Sequence, residues 1–167
     1  MKHLLAALLL LGLNSCAVRY VPLFQQPDRR MVELQKERDK LKRTTDPAAK
    51  AKTGIKISEI LLNLTRDAAK TGDMEVLERR LEEYVSTIQE AHDTMMKTGK
   101  DAHKSPKGFR ELEIALRKQV IQLKDIGGAL SFDQRTSVDK ARDEASRLRD
   151  ELLKALFGSQ NVTPGNL

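Results

Sequence analysis

The stretch MEVLERRLEEYVSTIQEAHDTM, residues 74–95, decides the fold. Met74, Leu77, Leu81, Tyr84, Ile88, Ala91 and Met95 recur at alternating steps of three and four. This is the a/d seam of an amphipathic helix, held for about three heptads. Glu78, Arg79, Arg80, Glu82 and Glu83 fall between the seam positions. They read as a solvated face in which carboxylates pair with neighbouring bases.

Working outward, Thr71-Gly72-Asp73 predicts a tight reversal before this helix. Gly72 suits the left-handed position that ends one helix, and Asp73 suits the cap of the next. Upstream, Asp46-Pro47 is a cap followed by a proline at the first helical position. The helix it opens runs to about Lys70 and carries Ile57, Ile60, Leu61, Leu64 and Ala68 as one stripe, widened by Ile55 and Leu62. So broad an apolar arc predicts contact with two or more neighbours. Asp28 offers the cap of a shorter helix through about Arg43, whose apolar positions are Met31, Val32, Leu34 and Leu41.

Downstream, Thr98-Gly99 and a polar loop rich in lysine lead to a fourth helix with Phe109, Leu112, Leu116, Val120, Leu123, Ile126 and Leu130. Its register slips at Val120, because Gln119 holds the strict seam position. Gly127-Gly128 weakens its end. Ser131-Phe132-Asp133-Gln134 has the form of a capping box. The fifth helix it would open carries Val138, Ala141, Ala145, Leu148, Leu152 and Ala155, with small residues where a partner helix could approach closely. Gly158 stops it, and residues 159–167 read as a disordered tail. Asn161-Val162-Thr163 has the form of a glycosylation sequon but is followed by Pro164 and carries no expectation.

Composition agrees with this pattern. Aromatic residues are 4% and tryptophan is absent, whereas strands favour aromatic and β-branched residues. One cysteine excludes a disulfide within the chain, so packing alone must hold it. The expected fold class is all-α: an elongated antiparallel helical bundle of four long helices plus a short N-terminal helix, forming one domain over residues 28–158. Helices of about 25 residues would be roughly 37 Å long. Short loops lead us to expect that helices consecutive in sequence are antiparallel neighbours. An open pair of hairpins completed by a second copy is the alternative.

The net charge of +6 is unevenly spread. Residues 17–56 carry eleven bases against five acids, and residues 57–100 carry six against nine. A basic segment beside a lipid anchor would reach anionic headgroups at about 1 kcal/mol per base; otherwise it is a solvated helix face. Nucleic-acid binding is not expected, given the interspersed acids and scarce aromatics.

The N-terminus reads MKHLLAALLLLGLNSC. A short basic start precedes an apolar run from Leu4 to Leu13, too short to cross a bilayer and suited to an export signal over residues 1–15. Leu13-Asn14-Ser15-Cys16 resembles the lipobox of bacterial lipoproteins, with Asn14 where a small residue is commoner. The resemblance implies lipidation at Cys16, which becomes the new N-terminus and anchors the protein to a membrane of the bacterial cell envelope. It also gives the single cysteine a role. Ser15-Cys16-Ala17 alternatively fits ordinary secretion with Val18 as the first mature residue, and an uncleaved chain is the third reading. Residues 16–27 then form a tether with two prolines, Tyr20 and Phe24. Its apolar residues would fill a groove on the bundle or sit at the membrane interface.

Leu130-Ser131-Phe132-Asp133-Gln134 also resembles the L-T-x-x-Q motif of the Spy family of periplasmic helical chaperones, with Ser for Thr. That likeness implies an exported, cationic helical protein that cradles unfolded clients on a concave face.

No catalytic motif stands out, and the chain is not expected to be an enzyme. Excluding His3 in the signal, the histidines are His92 and His103. His92 has Met96 four residues on instead of a second ligand, so no metal site is expected. Met95 and Met96 read as core rather than copper ligands. No pattern implies a buried carboxylate, and the glycines lie at helix ends instead of in a phosphate loop. No cofactor is expected. The reading is a non-catalytic envelope lipoprotein whose bundle binds another protein or itself, with a Spy-like chaperone or stress-response binder as the alternative.

Overall fold

The structure, a computed structural model, describes residues 28–158. Expectations for the signal, Cys16, the tether and residues 159–167 lie outside the described residues. Five helices follow one another: α1 (Arg29–Arg43), α2 (Pro47–Thr71), α3 (Met74–Met96), α4 (Lys107–Gly128) and α5 (Thr136–Phe157). No strand occurs among the described residues.

The three aspartate caps form as the sequence implies. Asp28 accepts from the Arg30 amide at 3.0 Å, Asp46 from Ala49 at 2.8 Å and Asp73 from Val76 at 3.1 Å. Each satisfies one of the amides that a helix start leaves without a partner. Gly72 takes φ +74°, and its amide closes the end of α2.

The fifth helix starts differently. Residues 131–135 are turns, and α5 begins at Thr136 without a side-chain cap. Ser131 Oγ instead lies 3.0 Å from Gln134 Oε1. The Ser131 carbonyl accepts from the Gln134 and Arg135 amides. The side chains that would cap a helix hold a turn closed on itself.

Consecutive helices run antiparallel throughout, but not all are neighbours. α2 packs on α3, and α4 packs on α5, as two hairpins. The hairpins lie side by side in the same sense. Ala48 sits by Gly108 and Ser58 by Gln119, so α2 and α4 are parallel. Glu78 meets Ser137 and His92 meets Glu151, so α3 and α5 are parallel. α3 and α4 therefore face each other across the core, and the 97–106 connection crosses its end. α1 lies on α2 and reaches α3 through Arg38–Glu83 at 2.7 Å. Arg30 joins it to the far end of α2 through Asp67 at 2.5 Å and holds the Asp28 and Asp67 carboxyls below the usual range.

One core joins all five helices. Leu34, Leu61, Leu62, Leu77, Tyr84, Leu116, Leu123, Ala145, Leu148 and Leu152 are fully enclosed. The seam of residues 74–95 supplies six of its seven positions to this core, and Met74 packs at its edge. α2 and α3 approach closely at Gly54, where an added Cβ would stand 3.1 Å from that of Ala91. A branched side chain there must push α3 away, so Gly54→Val should cost about 1–2 kcal/mol. Gly128, at the exposed end of α4, has nothing within 4 Å of such a Cβ. Gly128→Ala should be neutral or stabilise by about 0.5–1 kcal/mol. Paired thermal melts check both, and equal shifts would contradict the packing described.

Candidate functional site

An open concavity follows from the parallel pairing of α3 and α5. Small residues let these helices approach on their inner faces, where Ala141 and Ala145 are buried. Outside that contact the helix surfaces diverge and leave an open groove of about 890 Å³. Leu81, Val85 and Ala141 make its apolar floor. Glu78, Glu82, Ser86 and Gln89 form the α3 wall; Ser137, Lys140 and Glu144 form the α5 wall. Three carboxylates against one lysine make the rim acidic. Ser137 Oγ donates to Glu78 Oε1 at 3.2 Å and ties the walls together at one end. Arg147 grips Glu144 at 2.6 Å and holds its carboxyl below the usual range.

No histidine lines the groove beside Ser86 and Ser137. His92 is buried beyond the groove, with Nδ1 3.4 Å from Asp93 Oδ1 and Nε2 3.3 Å from Glu151 Oε2. Nε2 is not aligned for a hydrogen bond at that distance. The His92 ring keeps the Asp93 carboxyl below its usual range, with a smaller contribution from Lys97. His103 Nδ1 lies 3.2 Å from the Leu156 carbonyl oxygen and ties the 97–106 connection to the end of α5. Met95 is core, whereas Met96 is exposed. Among the described residues no three His, Cys, Asp or Glu side chains converge as metal ligands.

Polar groups, two of them at seam positions, form a hydrogen-bonded chain inside the bundle. Tyr84 donates to Gln119 Oε1 at 3.1 Å, and Gln119 Nε2 donates to Ser58 Oγ at 2.7 Å. The slip at Val120 was the signal: Gln119 is in the core, and Val120 is only half-buried. Burial pushes the Tyr84 hydroxyl far above its usual range, so it stays protonated and donates.

Two carboxylates are also buried, contrary to expectation. Glu37 is held by Lys56 at 3.5 Å and Lys40 at 3.4 Å, and Glu113 by Arg149 at 3.1 Å. Each pairs with a base from another helix, so the ions are compensated where they are desolvated. Of the residues expected to pair locally, Arg80 does bind Glu83 at 3.2 Å, but Glu83 also binds Arg38 from α1.

The L-S-F-D-Q stretch lies at the α4–α5 turn. Phe132 is 80% exposed, with the Arg135 guanidinium 5.5 Å from its ring centroid. No described helix is long and apolar enough to cross a membrane. No family model matches the chain, and neither curated proteins nor solved structures provide a match.

Proposed function

We propose that the chain is a non-catalytic lipoprotein of the bacterial cell envelope, anchored through Cys16, whose bundle serves protein–protein interaction. The observation that carries this reading is Leu13-Asn14-Ser15-Cys16, directly after an apolar run of secretory length. The α3–α5 groove supports the interaction half. Its apolar floor and acidic rim fit a segment that is apolar and basic, the complementarity by which partners are selected.

Lipidation is tested in a bacterial host fed labelled fatty acid. The mature chain should take up label, and Cys16→Ala should abolish uptake. Label that survives the substitution, or a mature N-terminus at Val18, refutes the anchor. Crosslinking from Glu82 or Lys140 should capture one recurring neighbour in the envelope. The exposed Phe132 favours a second reading, a Spy-like binder of unfolded clients. That reading requires suppression of aggregation in several unrelated proteins, weakened by Phe132→Ser. Suppression of none leaves the dedicated interaction standing.

A further inference from the structure

The excess positive charge, which the sequence places near the N-terminus, is carried by the fold to the opposite end of the bundle. The α1–α2 turn, the 97–106 connection, the start of α4 and the end of α5 meet there. Gly108 sits against Met95 and Ala48, and His103 reaches the Leu156 carbonyl. Residues 39–52, 93–110 and 150–158 make up this end. They hold eleven lysines and arginines against six aspartates and glutamates. The other end, formed by residues 28–33, 64–80 and 122–142, holds ten against nine. Arg30, Lys70, Arg80, Arg135 and Arg142 are ion-paired there. At the basic end Arg43, Lys52, Lys100, Lys107, Arg110 and Lys154 are exposed, with no carboxylate within 4.0 Å among the described residues. Two large apolar side chains are exposed at the same end, Met96 at 42% and Phe157 at 66%.

We infer that this end docks on an anionic phospholipid bilayer. Unpaired cations draw it to the headgroups, and Met96 and Phe157 enter the interface between them. Cations ringing exposed apolar side chains are what interfacial membrane binding uses, and such a patch adds to an acyl chain as a second anchor. A tether of residues 16–27 has an extended reach of about 40 Å. That matches the roughly 37 Å length of α2, so one bilayer is within reach of both Cys16 and the basic end. The docking does not depend on lipidation, and its test excludes it.

The test uses the full chain carrying Cys16→Ala in every arm, so no acyl group forms and the apolar N-terminus is constant. Cosedimentation is measured with phosphatidylethanolamine vesicles with and without phosphatidylglycerol. Phosphatidylglycerol should strengthen binding above the constant contribution of the apolar N-terminus. The triple variant Lys100→Glu/Lys107→Glu/Arg110→Glu should bind about 100-fold more weakly, at roughly fivefold per cation. Arg79→Glu/Lys118→Glu/Lys124→Glu makes the same charge change elsewhere and should shift binding only a few fold. Met96→Ser/Phe157→Ser should weaken binding without altering net charge, and circular dichroism verifies that each variant folds. Equal losses in the two triple variants, or indifference to phosphatidylglycerol, overturn the proposal. So does equal binding to heparin that ignores Met96→Ser/Phe157→Ser, because the surface then reads charge alone.

Discussion

Leu116→Ala is expected to lower the thermal midpoint by about 10–20 °C. Leu116 is fully enclosed at the centre of α4, within the core shared by the five helices. Truncation removes the transfer free energy of the lost carbons and leaves a cavity that helices fixed on several sides cannot close. Buried leucines cost about 2–5 kcal/mol on that account. In a domain of this size each kcal/mol moves the midpoint by about 3–5 °C. Leu81→Ala should behave alike, because Leu81 is 3% exposed. Glu82, the next residue, is exposed on the groove rim, so Glu82→Ala should stay within about 0.5 kcal/mol. Melts of the three variants decide the matter. Small and equal shifts would mean that the seam is not the core.

The contrast between Leu81 and Glu82 shows which information was local. Helix positions, the aspartate caps and the turn at Gly72 depend on residues within one or two turns, and they could be read directly. The seam could be read because helical period is a property of a single segment. Ser131 marks where local reading fails. The same four residues satisfy a capping box or a closed turn, and their side chains pair with each other in the turn. Burial of Glu37 and Glu113 depends on Lys56 and Arg149, which lie on other helices. Likewise, the groove belongs to α3 and α5, brought together only because the 97–106 connection crosses the end of the bundle. The basic end has the same origin: cations at 40–52, 97–110 and 154 converge only once the helix directions are known. Site information in this protein therefore resides mainly in topology.

Gln119 lies between these cases, and its replacement should reveal a coupled buried network. Gln119→Leu keeps the volume and adds apolar surface, so transfer alone predicts a gain. Yet it leaves the Tyr84 hydroxyl without an acceptor inside the core and removes the bond to Ser58. A buried donor left unmade costs about 1–3 kcal/mol, and the second bond adds about 1 kcal/mol. The single variant should therefore lose about 2–4 kcal/mol. Tyr84→Phe alone should also destabilise, because it leaves the Gln119 carbonyl unpaired. Combined, the two substitutions remove both polar groups and leave apolar side chains of similar shape in contact. Ser58 still donates to the Ile55 carbonyl at 2.8 Å, so it is not stranded. The double variant should accordingly be more stable than the sum of the single losses predicts, by about 1–2 kcal/mol. Denaturant titrations of the four proteins measure that coupling. Strict additivity would show that Tyr84 and Gln119 do not share a hydrogen bond in solution. A stable Gln119→Leu single variant would show that water reaches the Tyr84 hydroxyl, and the centre of the bundle would then be wetter than its packing implies.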